Sequence, residues 1–321
     1  MTAPLLQVRD LCVDFDSGSR QVSAVRGVSF TLEARSRLGI VGESGCGKST
    51  AVLAVMGLLP PNAEVAGQVL LDGVDILAGG DAGMRPHRWR DIAMVFQGAM
   101  NAFNPVRTVG EQIAEPIRLH QNATRRQAAE RVGELLELVG IGARRAAHYP
   151  HEFSGGMRQR AALAMALACE PKVLLADEPT TALDVIVQAE VLELLRTVTD
   201  QLGVALVFIS HDLPAVAQVA ERVAVMYAGR IVEEGPVGTM LTAPSHPYTA
   251  ALLSAIPNPM SDTAMRSIPG EPPRLDAPIA GCSYAPRCAE IHDICRTSAP
   301  ANVSDGATTV ACHLVPAGGV S

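Results

Sequence analysis

An α/β fold with a mixed sheet is what the sequence predicts, and three observations predict it. Short apolar runs at residues 38–41, 92–96, 173–176 and 204–209 alternate with stretches of helical periodicity. A glycine-rich loop at residues 42–49 joins the first of these runs to a helix-like one at 51–58. Two alternating segments at 5–15 and 23–32 precede that loop and read as an antiparallel pair with a turn around Asp16 and Gly18.

The bulk composition sets the outer limits. A chain of 321 residues with 48% hydrophobic and 18% charged residues can bury a full core, as one large domain with extra material or as two domains. Its formal net charge of −7 leaves no basic surplus for nucleic acid phosphates. No run of about 18 apolar residues is present to span a bilayer. Residues 1–9 lack the basic and apolar regions of a secretion signal, so a cytosolic protein is expected. Seven cysteines in that compartment read as thiols or metal ligands rather than disulfides.

The glycine loop runs Gly42, Glu43, Ser44, Gly45, Cys46, Gly47, Lys48, Ser49, Thr50. Its spacing is G-x-x-x-x-G-K-S between strand and helix. Glycines let the backbone turn so that successive N–H groups face a phosphate chain, and the helix that follows adds its positive end. Lys48 would neutralise β- and γ-phosphates, and the Ser49 hydroxyl would hold Mg²⁺.

The remaining elements follow in order. Phe15, just before the first turn, can either stack on a nucleotide base or close the edge of the core. Residues 68–71 with Asp72 and Gly73 make a strand and turn. The buried strand 92–96 ends in Gln97, placed to reach a metal or a water, or merely to start a loop. Helices are expected at 109–120 and 125–139, the second capped by Thr124 with Gln127 and stopped by Gly140; with 142–150 they form a helical insertion. Ser154, Gly155, Gly156 and Met157 open an alanine-rich helix through Ala168 whose N-terminus can face an anion. Asp177 and Glu178 end strand 173–178: the Asp can bind Mg²⁺ and the Glu can polarise a water. Asp184 precedes a long helix with apolar positions Val187, Val191, Leu194, Leu195, Val198 and Leu202, stopped by Gly203. His211 stands at the tip of strand 204–209, where an imidazole can meet a γ-phosphate or simply be solvated. Residues 222–227 and 230–234 flank Ala228 and Gly229 as a hairpin.

Past Pro244 the chain turns proline-rich, with Pro257, Pro259, Pro269, Pro272, Pro273, Pro278, Pro286 and Pro300. One short helix at 248–256 is expected there, and otherwise an irregular appendage that needs a staple. Cys282, Cys288, Cys295 and Cys312 lie in it, separated by five, six and sixteen residues. These gaps match neither paired zinc knuckles nor the ferredoxin run, so spacing alone leaves a cluster, zinc, free thiols and disulfides open. His292 and His313 are near enough in sequence to serve zinc. Cys12, Cys46 and Cys169 are scattered and read as structural.

Taken together, these motifs resemble the ATP-binding subunit of ATP-binding-cassette (ABC) transporters over residues 5–242. The resemblance implies a P-loop NTPase cassette: a mixed-sheet core with an antiparallel β subdomain and an α-helical insertion. It places the cassette at 1–243, the insertion at about 98–170, and a cysteine-containing extension at 244–321. It implies ATP on residues 42–50 with Phe15 against the adenine, and Mg²⁺ on Ser49, Gln97 and Asp177. Glu178, His211, Gln97 and Lys48 would be catalytic, and Asp184 would lie in the D-loop. Ser154, Gly155, Gly156 and Met157 would close on the ATP of a second cassette, so that hydrolysis needs a pair.

The segment 245–253 and the later cysteines resemble the dipeptide, oligopeptide and nickel permease ATPases. That subfamily implies peptide import, with nickel or another small solute as the alternative cargo. It also implies a 4Fe–4S cluster on the four tail cysteines, with Zn²⁺ as the alternative. The expected partners are a different cassette paralogue, two transmembrane permease subunits and, indirectly, a substrate-binding protein, all at the cytoplasmic face of the membrane. A soluble cassette acting on nucleic acid or ribosomes is disfavoured by the acidic balance. One departure is Gly98 and Ala99 after Gln97, where the family usually carries an acidic residue and a proline.

Overall fold

The computed structural model describes residues 3–16, 18, 20–98, 102–181, 183–256 and 268–316. Ala99, Pro257 and Pro259, singled out in the sequence, lie outside the described residues.

Strands β1 (Leu6–Asp16) and β2 (Gln21–Leu32) pair antiparallel and meet at Asp16 and Gln21. Alternation places Leu6, Val8 and, after a bulge, Leu11 and Val13 in the core. β3 (Arg37–Val41) leads through the glycine loop into α1 (Lys48–Val55). β4 (Ala63–Leu71) returns to pair with β1, and β5 (Val74–Asp75) adds an edge, giving an antiparallel sheet ordered β2-β1-β4-β5. A short α2 (Asp81–Met84) precedes β6 (Ile92–Val95). That strand stops before Phe96, which is half exposed.

The insertion follows as α3 (Val109–His120), α4 (Arg125–Leu138) and α5 (Gly155–Ala166). Thr124 and Gln127 form the expected capping box, and Thr108 with Glu111 forms a second. The chain then alternates β7 (Val173–Asp177), α6 (Val185–Leu202), β8 (Ala205–Ser210), α7 (Leu213–Val219), β9 (Arg222–Tyr227) and β10 (Arg230–Pro236). Along α6 the buried face takes Val191, Leu192, Leu195, Val198 and Thr199. Val187 is instead only half-buried, beside Gly156 of α5, and Leu202 reaches the surface.

The larger sheet runs β9-β3-β8-β7-β6 in parallel register. Its strands are apolar throughout because both faces are covered. Leu174 and Ala176 of β7 face the helical insertion and α6, whereas Val173 and Leu175 face α1 and the antiparallel sheet. β8 repeats the division, with Leu206 and Phe208 on one side and Ala205, Val207 and Ile209 on the other. The parallel register sets Asp177 of β7 beside Ile209 of β8, so the residues just beyond both tips emerge together. None of the described helices is long and apolar enough to cross a membrane.

The segment after residue 243 differs from the irregular appendage expected of it. Helix α8 (Val237–Thr242) leads to α9 (Pro247–Ser254), and a short α10 (Asp293–Thr297) follows among the cysteines. Then β11 (Val303–Asp305) and β12 (Thr308–Val310) form a hairpin, and β12 pairs with β10 through Glu233 and Val310. The tail therefore supplies two strands of the larger sheet, and Tyr248 and Tyr284 join its core. The physical reason is edge coverage: β10 would otherwise present unpaired N–H and C=O groups.

Candidate functional site

The glycine loop owes its shape to close backbone approaches. A Cβ on Gly42 would lie 2.1 Å from the Met226 carbonyl oxygen, and one on Gly47 would lie 2.3 Å from that of Ala24. Gly45 and Gly47 also adopt φ of 77° and 105°, where side chains are strained. Gly47 caps α1 without a side chain, leaving the helix N-terminus open to an anion. Lys48 is buried, and its Nζ donates to the carbonyl oxygens of Gly42 (2.8 Å) and Glu43 (3.0 Å). Thus the loop holds its cation over its own concavity. Cys46 is buried beneath it, and burial pushes the thiol up. Ser44 and Gly45 are exposed at the loop's crest.

Three strand tips converge on this loop. Ser49 Oγ donates to Asp177 Oδ1 at 3.0 Å, which joins two of the expected Mg²⁺ ligands. Asp177 is buried, and burial pushes its carboxyl up while the Ser49 hydrogen bond opposes the shift. Glu178 follows at φ 42°, a strained position for a side chain, fixed by its N–H donating to the Ile209 carbonyl oxygen at 3.0 Å. Its carboxylate accepts from Gln97 Nε2 (3.0 Å) and Thr181 Oγ1 (3.0 Å), and lies 3.2 Å from His211 Nδ1. Gln97, Glu178 and His211 thus form one hydrogen-bonded group, with Gln97 on Glu178 rather than on the Ser49–Asp177 pair. A carboxylate held on three sides beside a phosphate cradle can take a proton from a water and keep its geometry while doing so.

Other expected residues lie apart from this group. Phe15 is half-buried and packs against the core between the two sheets, so its ring is only partly available. Ser154 caps α5 by accepting from the Met157 N–H at 3.3 Å. Among the described residues, none of Ser154, Gly155, Gly156 and Met157 hydrogen-bonds to the glycine loop. Asp184 caps α6 by accepting from the Val187 N–H at 3.0 Å. Val185 and Ile186 beside it are 83% and 74% exposed, an apolar step next to that cap. On the insertion, α3 and α4 border a cleft of about 610 Å³ lined in part by Arg107, Arg118, Arg125 and Val132.

Comparison with known proteins decides the family. A family model described as ABC transporter matches residues 25–181, and one described as the oligopeptide/dipeptide transporter C-terminal region matches 232–295. A probable peptide ABC transporter ATP-binding protein of Sinorhizobium fredii is 47% identical over 302 residues, covering 92% of this chain and 90% of that protein. The chain belongs to the ABC transporter ATP-binding family. The dipeptide transport ATP-binding protein DppD of Bacillus subtilis is 45% identical over 316 residues, covering 97% and 94%. Among solved structures, the ATP-binding cassette MJ0796, dimeric in a post-hydrolysis state bound to ADP and Pi, superposes with a TM-score of 0.65. It is 27% identical and covers 72% of this chain and 98% of that one. The cassette fold and the ABC ATPase class read from the sequence are borne out by these likenesses.

The ABC-family tail gathers its four cysteines. Burial pushes up the thiols of Cys282, Cys288 and Cys312, and neighbouring cysteines push in the same direction: Cys295 acts on all three, Cys312 on Cys282, and Cys288 on Cys312. Cys282 N–H donates to the Cys295 carbonyl oxygen at 2.8 Å, which ties two of the segments together. All seven cysteines are free. Among the described residues no three His, Cys, Asp or Glu side chains stand close enough to hold one metal ion. His313 Nε2 lies 2.9 Å from the Ser298 carbonyl oxygen, and so faces a backbone oxygen rather than a metal. The arrangement does not support the single-zinc alternative. Four cysteines are the ligand type a 4Fe–4S cluster takes, but the described residues bring no three of them together, so the arrangement supports the cluster no better than zinc.

Sequence reading missed three residues of the site. Thr181 is adjacent to recognised motifs and could have been read as a hydroxyl partner of Glu178. Arg287 and Tyr248 come from the tail: Arg287 bonds the Glu43 carboxylate, and the Tyr248 hydroxyl accepts from the Glu43 N–H at 3.0 Å. Nothing in the local sequence signals that contact.

Proposed function

We propose that this chain is the ATP-hydrolysing subunit of an importer for dipeptides or oligopeptides. The observation that carries the reading is the Gln97–Glu178–His211 group set beside the Ser49–Asp177 pair at the lysine-bearing loop. The peptide cargo is supported by the printed names of relatives 45–47% identical along most of the chain. Residues 42–50 take the phosphates, Phe15 meets the adenine, and Ser49, Asp177 and Gln97 hold Mg²⁺, which neutralises phosphate charge. Glu178 orients a water and its carboxylate takes the proton as the water oxygen attacks the γ-phosphorus. The bond to the β–γ bridging oxygen breaks, and ADP leaves with that oxygen. Lys48 and His211 stabilise the charge on the transferring phosphoryl group.

The cassette, residues 1–243, works as one of a pair. Ser154, Gly155, Gly156 and Met157 close on the ATP of a second, different cassette, with Asp184 at the contact. The Gln97 loop and the insertion, about 98–170, with the cleft between α3 and α4, dock onto the membrane permease at its cytoplasmic face, and two permease subunits complete the complex. A substrate-binding protein delivers the cargo. In the extension, 244–321, Cys282, Cys288, Cys295 and Cys312 hold a 4Fe–4S cluster as a thiolate cage.

Turnover tests the core of this reading. Purified protein should release phosphate from Mg-ATP, and Glu178→Gln should bind ATP while slowing release by about 10²–10⁴-fold. Undiminished release by that variant would remove Glu178 from its role. Anaerobically purified protein should carry about four irons per chain and lose them in Cys288→Ser; iron-free, colourless protein would remove the cluster.

A further inference from the structure

Glu43 is the one acidic residue of the glycine loop, and every polar group it carries is engaged. Its carbonyl oxygen accepts from Lys48 Nζ, and its N–H donates to Tyr248 Oη at 3.0 Å. Its carboxylate receives a two-pronged contact from Arg287, Nη1 to Oε2 at 2.6 Å and Nη2 to Oε1 at 2.9 Å. Two of these three partners come from the tail, 205 and 244 residues along the chain.

Arg287 is built to do this. Its side chain is 3% exposed, and all five of its N–H donors are placed. Besides the two on Glu43, Nε donates to the Pro269 carbonyl oxygen at 2.8 Å, Nη2 to that of Ile268 at 3.4 Å, and Nη1 to Tyr227 Oη at 3.3 Å. The guanidinium carbon lies 5.8 Å from the centre of the Tyr227 ring. Tyr227 packs at 4.5 Å from Tyr248 and 5.3 Å from Tyr284, so an aromatic wall holds the arginine in place. A planar fork fixed by five bonds has one geometry to offer a carboxylate.

The charge arithmetic gives this contact a function. A carboxylate in the phosphate-binding loop repels a triphosphate, unless a cation beside it cancels the charge. Lys48 cannot serve both, since it is needed for the phosphates. We propose that Arg287 is a positioning residue for nucleotide binding: with Tyr248 it neutralises and fixes Glu43, so that the tail sets the affinity of the loop for ATP. The proposal rests on the reading that residues 42–50 hold the phosphates of ATP.

A double-mutant cycle on the full chain tests it, with Mg-ATP binding followed by calorimetry and KM and kcat by phosphate release. Arg287→Gln should weaken Mg-ATP binding about tenfold, because the carboxylate is left unpaired beside the phosphates at an effective dielectric of about 20. The loss should appear in KM, with kcat at saturating ATP little changed. Once Glu43→Gln is present, adding Arg287→Gln should cost less than about twofold, since no charge remains to neutralise. If Arg287→Gln fails to fold, Arg287→Lys keeps the charge without the fork and should cost about threefold, again suppressed by Glu43→Gln.

An equal loss in both backgrounds would make Arg287 a mere anchor for the tail and overturn the proposal. So would wild-type affinity in Arg287→Gln or, should that variant not fold, in Arg287→Lys. Equal Mg-ATP binding by wild type and Lys48→Ala would instead overturn the parent reading of the loop.

Discussion

Mild acid should loosen the junction between tail and cassette, and His246 gives the effect a size. This imidazole is 2% exposed and its Nδ1 accepts from the Tyr248 N–H at 3.0 Å, while the backbone N–H of His246 donates to the Glu233 carboxylate at 3.1 Å. Burial pushes it down to about 4, against an ordinary value of 6.5. Above pH 6.5 both the folded and unfolded forms are neutral, and nothing is lost. As pH falls from 6.5 towards 4, the unfolded chain takes a proton that the folded one refuses, so stability drops. At pH 5 the loss is about 2 kcal/mol, and it levels off near 3 kcal/mol below pH 4. For a chain of this length, 2 kcal/mol corresponds to about 3 °C in melting temperature. Other groups titrate in the same range, so the test is a difference. Wild type and His246→Asn, which keeps an acceptor for the Tyr248 N–H, are denatured with urea at pH 7.5 and pH 5. The wild type should lose about 2 kcal/mol more than the variant between the two conditions. Parallel losses would show that His246 is not the group that resists protonation.

The glycine loop, the α6 cap and the paired site each carry a further expectation. Gly47→Ala puts a methyl 2.3 Å from the Ala24 carbonyl oxygen at φ 105°, and should cost at least about 1 kcal/mol in denaturation and raise KM for ATP. A silent substitution there would mean the loop can shift freely. Asp184→Ala should lower stability by about 1 kcal/mol, while Asp184→Asn, which still accepts from Val187, should lose little. Equal losses would show that capping is not what Asp184 supplies to stability. Phosphate release per chain should rise with protein concentration as pairs form, and a flat specific activity through verified monomer and dimer ranges would refute a shared site.

The ATP site was legible because its parts are local or repeat a simple rule. Residues 42–50 are contiguous, and the loop geometry follows from glycines at fixed offsets. Glu178 and His211 are far apart in sequence, yet each is the first residue beyond a buried parallel strand. The pairing of Asp177 with Ile209 brings those tips together. The capping box at Thr124 was equally local, and the one at Thr108 has the same spacing and went unread. The tail was misread because proline density hid its regular part. The Asp305–Gly306 dipeptide is a hairpin signal, and Gly306 takes φ 62° at that turn. The Glu43 clamp had no such signal, since a contact across 244 residues leaves no periodic trace in either segment.

The pairing of β12 with β10 makes the order of synthesis matter. Residues 303–310 leave the ribosome about 70 residues after β10, a delay of several seconds at 5–20 residues per second. During that interval the nascent sheet keeps a naked margin that a neighbouring polypeptide could seize. Whatever shields it in the meantime, whether a chaperone or fast burial of α9, stands between translation and a usable subunit.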